Sequence, residues 1–528
     1  MNEGRYWLFR FLEYDLIWGQ VDKLSLCFGY VFVIMGLLGC IYALHLNNPV
    51  QHSAAFLHIG GALGVLFAGD LLTLFIFWEL MAIGGVFLIW QPTKPGEKNK
   101  SLSAGFRYVF IHLIGGSCLL AGIILHFNQT GSLDFNILNA QPLHVGTMLI
   151  LMGFLINAAV PPLSAWLSDA YPEATITGAV FLTAYTTKTA VYVLIRGFPG
   201  FEPLIWLGAI MALYGVIFAV LSNDIRRLLA YHIISQVGYM VCGIGLGTTI
   251  ALNGSTAHAF CHILYKGLLF MGAGAVIYAT SMRKLSDLSG LNLYKKMPFT
   301  LIFYMIGAFS ISGVPLFNGF ISKSIVISSA GFKGEPIIEL LLTLASVGTF
   351  LSLGLKLPYF TWSGKPSSKP QDSNSEINKI PFNMLAAMGL ASFLCVLIGC
   401  KPSLLYNLLP FSMNYEPYTA DHIISAVQLL LFTGVGFWVL LDKVKGEPII
   451  ALDTDWFYRK GAGLFLWFCS KPLNGSRLGI QGAAGHLVNR VEKAFRIPIR
   501  NTSIGWGAWL VVSFLLLALV LILAKHNL

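Results

Sequence analysis

Charge is what this chain of 528 residues has least of. Only 11% of its residues are charged, 56% are hydrophobic, and the mean hydropathy is +0.72. Soluble domains carry about 25% charged residues, so most of this chain is embedded in a membrane. The ten-residue alternation of a membrane β-barrel is missing as well. Eight cysteines lie scattered at 27, 40, 118, 242, 261, 395, 400 and 469, and none forms CxxC. An iron–sulfur or zinc site within the chain is therefore not expected. Most of these cysteines fall in apolar helices, which argues against disulfides. Phosphate loops, nucleophile triads and nucleic-acid modules are absent, and no cofactor is expected. The N-terminus, MNEGRYWLFRFLEYDLIW, carries acidic residues early and has no small-residue cleavage site. It reads as an interfacial segment rather than a cleaved signal peptide.

What is present is a series of apolar runs. The expected fold is an all-α polytopic membrane protein with about fourteen spans. They fall at 24–46, 53–69, 71–91, 104–127, 143–169, 175–196, 203–222, 228–248, 256–280, 298–330, 336–361, 381–400, 421–442 and 505–525. Two spans are too long and carry breakers in mid-run: Pro161 and Pro162 in 143–169, and Gly313, Pro315 and Gly319 in 298–330. Proline removes an amide donor and glycine loosens the backbone, so both read as broken helices. Such helices are tolerated in a membrane only inside protein or beside water. They are five spans apart, and an odd offset reverses orientation, which predicts two inverted repeats. The expected division is 1–52 (N-terminal segment and first span), 53–222 (first repeat), 223–361 (second repeat), 362–442 (two further spans), 443–504 (amphipathic, cytoplasmic-side segment) and 505–528 (last anchor).

The net charge of +10 gathers in alternate loops. Lys94, Lys98 and Lys100, Arg226 and Arg227, Arg283 to Lys296, Lys365 to Lys379 and the segment 443–504 hold most of it. The positive-inside rule puts those loops in the cytoplasm and both termini outside. The expected location is the inner (cytoplasmic) membrane of the cell.

The few ionisable residues within spans carry the functional argument. His258, His262 and Lys266 recur every four residues in HAFCHILYK. They form a helical stripe about 80° wide and about 12 Å long. A mid-span charge costs roughly 2.5–3.5 kcal/mol on insertion scales, so such groups face the bundle interior and pair with something. Lysine is a poor metal ligand, and no metal site is expected. Glu79, in LFIFWELMAIGG, is flanked by apolar residues. Lys188, in TAYTTKTAVY, lies midway along its span, and Lys323 follows the second break. Together these residues predict a hydrophilic track for proton transfer from Glu79 through Lys188 and the stripe to Lys323. Lys356 is either functional or snorkels to the cytoplasmic face. Asp70, between spans 2 and 3, is a helix cap at least as readily as a relay.

Six motifs then stand in order: FWELM, PPLSAWLSDAYPEA, TTKTAVYVLIR, DIRRLLAYHIISQVGYM, HAFCHILYKGLLF and GVPLFNGFISK. Over roughly residues 24–400 the chain resembles the antiporter-like membrane subunit family. That family includes the A-type and D-type subunits of Mrp-type cation/proton antiporters. It also includes the proton-pumping membrane subunits of respiratory complex I and of membrane-bound hydrogenases. DAYPEA and HAFCHILYK look closest to the D-type Mrp subunit. The resemblance implies a proton-translocating subunit of a multi-subunit Na⁺ or K⁺/proton antiporter. The alternatives are a subunit of a redox-driven pump or an energy-coupling subunit for inorganic-carbon uptake. It also implies relay roles for Glu79, Lys188, His258, His262, Lys266 and Lys323, and membrane-subunit partners. Three features depart from the family pattern. Asn157 stands where a lysine ahead of the proline is usual; it can hydrogen-bond Glu79 but not carry charge, so either Lys188 or another subunit compensates, or this half no longer moves protons. Ser164 and Ser168 replace a histidine and a proline. The chain starts about two spans early, and those helices are either lost or supplied by another polypeptide.

Overall fold

The computed structural model describes residues 3–11, 14–91, 98–139, 143–364, 377–444 and 453–470, with single positions at 486 and 490. The N-terminal segment, whose secondary structure the sequence pattern leaves open, is regular. It is a two-stranded antiparallel hairpin, β1 (Gly4–Phe11) paired with β2 (Tyr14–Val21), with Gly4 opposite Val21. Its tyrosine, isoleucine, tryptophan and valine suit a pleated, half-buried surface. Leu16, Ile17 and Val21 are buried while Trp18 faces out.

Helices follow with the caps their sequence supplies. Asp22 and Ser25 form a reciprocal capping box that starts α1 (Lys23–Ala43), with bonds of 2.8 and 2.9 Å. Asn48 caps α2 (Pro49–Phe67), whose first residue needs no amide donor. Next come α3 (Leu71–Trp90), capped by Asp70, and α4 (Lys98–Thr130).

The first broken span is α5 (Val145–Asn157), an irregular turn, and α6 (Ala165–Ala170). The following span is interrupted too. It consists of α7 (Gly178–Ala184) and α8 (Thr186–Gly197), joined at Tyr185 without proline or glycine. Then come α9 (Pro203–Leu221), α10 (Ile225–Leu246) and α11 (Thr249–Thr280), with two single turns, α12 (Leu285–Leu288) and α13 (Leu293–Lys296).

The second broken span is α14 (Pro298–Ser312) and α15 (Asn318–Phe332). Gly313 takes φ +75° at the break. A Cβ on Gly319 would fall 1.7 Å from the Ser310 carbonyl oxygen, so only glycine lets the two halves approach. α16 (Pro336–Thr349) continues into π-helical turns over 350–356 and 359–363. α17 (Phe382–Cys400), the single turn α18 (Ser403–Tyr406), α19 (Ala420–Val439) and α20 (Leu441–Val444) complete the first unit, which ends at Asp455. α21 (Asp455–Ser470) belongs almost wholly to a second unit that starts at Trp456.

Eleven helical stretches of the described residues are long and apolar enough to cross a membrane. They match eleven of the fourteen expected spans. The two broken spans supply the shorter apolar helices 145–157 and 298–312. The expected last span, 505–525, and most of 443–504 lie outside the described residues.

α7–α8, α10 and α11 are buried along their whole apolar windows, whereas little of α19 is fully buried. α11 is the axis of the core: it packs against α1, α7, α8, α10, α14, α15 and α17.

Candidate functional site

The ionisable stripe lies on that central helix. His258, His262 and Lys266 are fully buried. The imidazole centroids of His258 and His262 are 6.3 Å apart, and Tyr265 packs edge-on to His262 at 5.3 Å. His258 bridges to two neighbours, Gln236 Oε1 of α10 at 3.2 Å and Ser322 Oγ of α15 at 3.1 Å. His262 makes no hydrogen bond through either ring nitrogen, and Lys266 Nζ and the Tyr265 hydroxyl also lack partners. Buried polar groups are seldom left unmade without a reason.

Lysines reach this stripe from both broken regions. Lys188 Nζ donates to the Thr183 carbonyl at 2.6 Å. The α7–α8 discontinuity turns the Lys188 and Thr189 amides onto Tyr185, so the ammonium takes a carbonyl of the preceding turn. Lys188 acts electrostatically on both His262 and Lys266. Lys323 Nζ donates to the Ile311 carbonyl at 2.8 Å and to Ser346 Oγ at 3.3 Å. Ile311 is in the last turn of α14, whose carbonyls the break frees, so cation and helix end match. Lys323 also sits 5.2 Å from the Tyr239 ring centre and acts on His258 and His262. It lines a cleft of about 300 Å³ with Ser346, Thr343, Glu339, Asp421 and His422. Lys188, the stripe and Lys323 are thus brought into one buried cluster.

Glu79 stands apart from it. It lines a separate cleft of about 210 Å³ with His112 and apolar residues of α3 and α4. Its Oε1 is buried without a partner and lies against Gly116 of α4. An Asn157–Glu79 hydrogen bond is not made: both polar atoms of Asn157 are buried and unpartnered. The carboxylate points toward the gap at Gly116 instead.

Two residues fill structural positions. Asp70 accepts from the Thr73 amide at 2.7 Å, the Thr73 hydroxyl at 2.6 Å and the Ile17 amide at 2.7 Å. It caps α3 and ties it to the hairpin. Lys356 does not snorkel. It is fully buried, and its Nζ donates to the carbonyls of Val220 at 2.5 Å and Ser222 at 3.3 Å, where α9 ends.

Sequence reading passed over His58, His112 and His232. All three are buried. His58 contacts Met81 O at 2.7 Å and Thr186 Oγ1 at 3.4 Å. His112 stacks on Tyr108 at 3.8 Å. His232 meets Ser352 at 2.6 Å and feels Lys266 and Lys323. The signal was the one that exposed Glu79, an ionisable residue inside an apolar run.

A family profile described as "NADH:quinone oxidoreductase/Mrp antiporter, TM" matches residues 68–352. The chain is 28% identical over 520 residues to the A subunit of the Na(+)/H(+) antiporter of Alkalihalophilus pseudofirmus, covering 87% of this chain but only 63% of that protein. It is 29% identical over 443 residues to the M subunit of the NADH-quinone oxidoreductase of Pseudomonas aeruginosa, covering 76% of this chain and 84% of that one. Its fold is similar to a chain of the membrane-bound sulfane sulfur reductase, an archaeal respiratory membrane complex. The TM-score is 0.70 at 22% identity, covering 98% of this chain and 92% of the other. The profile covers more than half of the sequence and both broken spans: the chain belongs to the NADH:quinone oxidoreductase/Mrp antiporter transmembrane family.

Proposed function

We propose that this chain is a proton-translocating subunit of a multi-subunit cation/proton antiporter in the cytoplasmic membrane. Protons pass along Lys188, Lys266, His262, His258 and Lys323, with water between them. Glu79 exchanges protons with the near end of that row from its own cleft. The movement is coupled to Na⁺ or K⁺ crossing elsewhere in the assembly. Residues 53–222 and 223–361 act as two inverted repeats around the shared row.

The single observation that carries this reading is the buried basic stripe on α11, with His262 and Lys266 unpartnered, flanked by Lys188 at the α7–α8 interruption and Lys323 at the α14–α15 break. Charge in so poor a solvent is costly and marks ion pathways in membranes. Neutral and charged forms of histidine and buried lysine interconvert readily.

The experiment is Lys188→Ala in the assembled complex, in vesicles carrying an imposed Na⁺ or K⁺ gradient. Coupled proton movement is abolished while the subunits still co-purify. Wild-type rates in that variant overturn the assignment.

A second reading is a subunit of a redox-driven pump, favoured by the similarity to the oxidoreductase M subunit and to the archaeal respiratory complex. The proton row is the same and the energy source differs. Purifying the complex and identifying its subunits separates them: a quinone-reducing or sulfur-reducing partner removes the antiporter reading.

A further inference from the structure

Asp453 lies far along the chain from every motif considered so far, beyond α20 and before α21. It nonetheless returns to the transmembrane bundle, where it is only 5% exposed. Its carboxylate accepts hydrogen bonds from three hydroxyls on three helices. Tyr231 of α10 donates at 2.5 Å, Ser168 of α6 at 3.3 Å, and Tyr214 of α9 donates to the other oxygen. The Thr454 amide donates to that second oxygen as well, at 2.5 Å. No ion pair involves Asp453 among the described residues. Arg227 acts on the Tyr231 hydroxyl, and Asp169, next to Ser168 in sequence, is paired with Arg107.

Where this carboxylate sits gives it meaning. Ser164 and Ser168 mark the arm of the first broken helix on which the family's usual ionisable side chain is missing. Ser164 is fully buried, its hydroxyl makes no hydrogen bond, and it adjoins the Tyr214 hydroxyl. Tyr214 and Tyr231 both lie within about two turns, roughly 10 Å, of the end of the α9–α10 pair that holds Arg226 and Arg227. That is the expected cytoplasmic side. A row of hydroxyls therefore runs from Asp453 through Tyr214 to Ser164, at the edge of the break that follows Asn157.

We infer that Asp453 is a proton-carrying residue of the first repeat, supplied from the segment before α21 beside Ser164, which itself has no ionisable side chain. It takes a proton from water on the cytoplasmic side. It then hands that proton to the Tyr214 oxygen as the Tyr214 hydroxyl, turned onto Ser164, gives its own proton to the Ser164 oxygen, and Ser164 releases its proton to water entering the break after Asn157. Each hydroxyl loses one proton as it gains one, the carboxylate is restored, and the hydroxyls rotate back, Tyr214 onto Asp453, before the next transfer. A buried ionisable residue at membrane depth is a candidate for function when no fixed counter-charge accounts for it. Here the hydroxyl donors hold the anion without a permanent cation that would lock it.

This inference rests on the relay reading of the central row, and the test separates the two. Asp453→Asn keeps one acceptor oxygen and replaces the other by an amide donor that a tyrosine oxygen can accept from, so the side chain stays close in shape but can no longer carry a proton. In vesicles containing the full assembly, proton movement in Asp453→Asn falls at least tenfold with co-purification of subunits unchanged, and Asp453→Glu restores most of it. Infrared difference spectra between acid and alkaline pH show a protonated carboxyl band in wild type that is missing in Asp453→Asn. If Asp453→Asn transports normally while Lys188→Ala does not, Asp453 is only a clamp and the inference is overturned. An infrared band unchanged by the substitution overturns it equally. If Lys188→Ala also transports normally, the relay itself is wrong.

Discussion

Asp70 and Glu79 are two carboxylates at and within one helix, α3, with opposite environments. Asp70 has its oxygens filled by two amides and a hydroxyl. Asp70→Ala leaves the Ile17 and Thr73 amides without acceptors, a cost of about 1–3 kcal/mol. The unfolding temperature in detergent falls accordingly, while proton movement per folded molecule is unchanged. A folded but transport-dead Asp70→Ala would refute the purely capping account. Glu79 has an oxygen with no partner and a glycine opposite it. A Cβ at position 116 would lie 2.1 Å from Glu79 Oε1, so the carboxylate must swing away. Gly116→Ala therefore impairs transport severalfold at a stability cost of roughly 1–3 kcal/mol, typical of overpacking. Proton movement in reconstituted vesicles, normalised to folded protein, reads the effect.

Helix interruptions hold the lysines, and their legibility in the sequence differed from one to the next. The breaks near Pro161 and Gly313 were readable because proline and glycine announce themselves. The kink at Tyr185 carries no such signal, and neither did the π-helical turns leading into Lys356; both arise from packing. The spacing places Lys356 near one end of its span but does not show that its ammonium turns onto the carbonyls at the end of α9. The basic residues of the loops were readable as a count but not as contacts. Arg226, for example, is fully buried against the carbonyls of Pro172 and Ala174. Which hydroxyls and amides meet His258 or Lys323 depends on register between helices, and sequence spacing along one helix does not contain that. The N-terminal hairpin was missed for a related reason: an isolated short pair of strands has little pattern to read, and this one is held by Asp70 and Gly69. Lys356 yields a prediction at this scale. Its ammonium satisfies two carbonyls at the end of α9. Lys356→Met leaves them dry and lowers stability by about 1–3 kcal/mol. Transport survives, because the residue touches none of the central row. Thermal unfolding and vesicle assays on one preparation check both halves.

Across the whole molecule, charges segregate by role. The described ion pairs tie helix ends and loops together, as in Arg196–Asp22, Arg283–Glu173 and Arg107–Asp169. None involves Lys188, Lys266 or Lys323, which are fully buried or nearly so. Several like charges in one poorly solvated cluster, none of them in an ion pair among the described residues, disfavour one another's charged forms. At an effective dielectric of about 20, two unit charges 4 Å apart still repel by roughly 4 kcal/mol. A proton held by one lysine therefore disfavours a proton on the next, and the proposed row is expected to load and unload as a unit. Residues that act as a unit do not contribute additively. Lys188→Met and Lys266→Met should each abolish coupled proton movement, and the double variant should be no worse than either alone. A neutral pair that leaves the subunits assembled makes the comparison clean. If the two losses instead multiply, with measurable flux in each single variant, the lysines serve separate paths and the row is not one conductor.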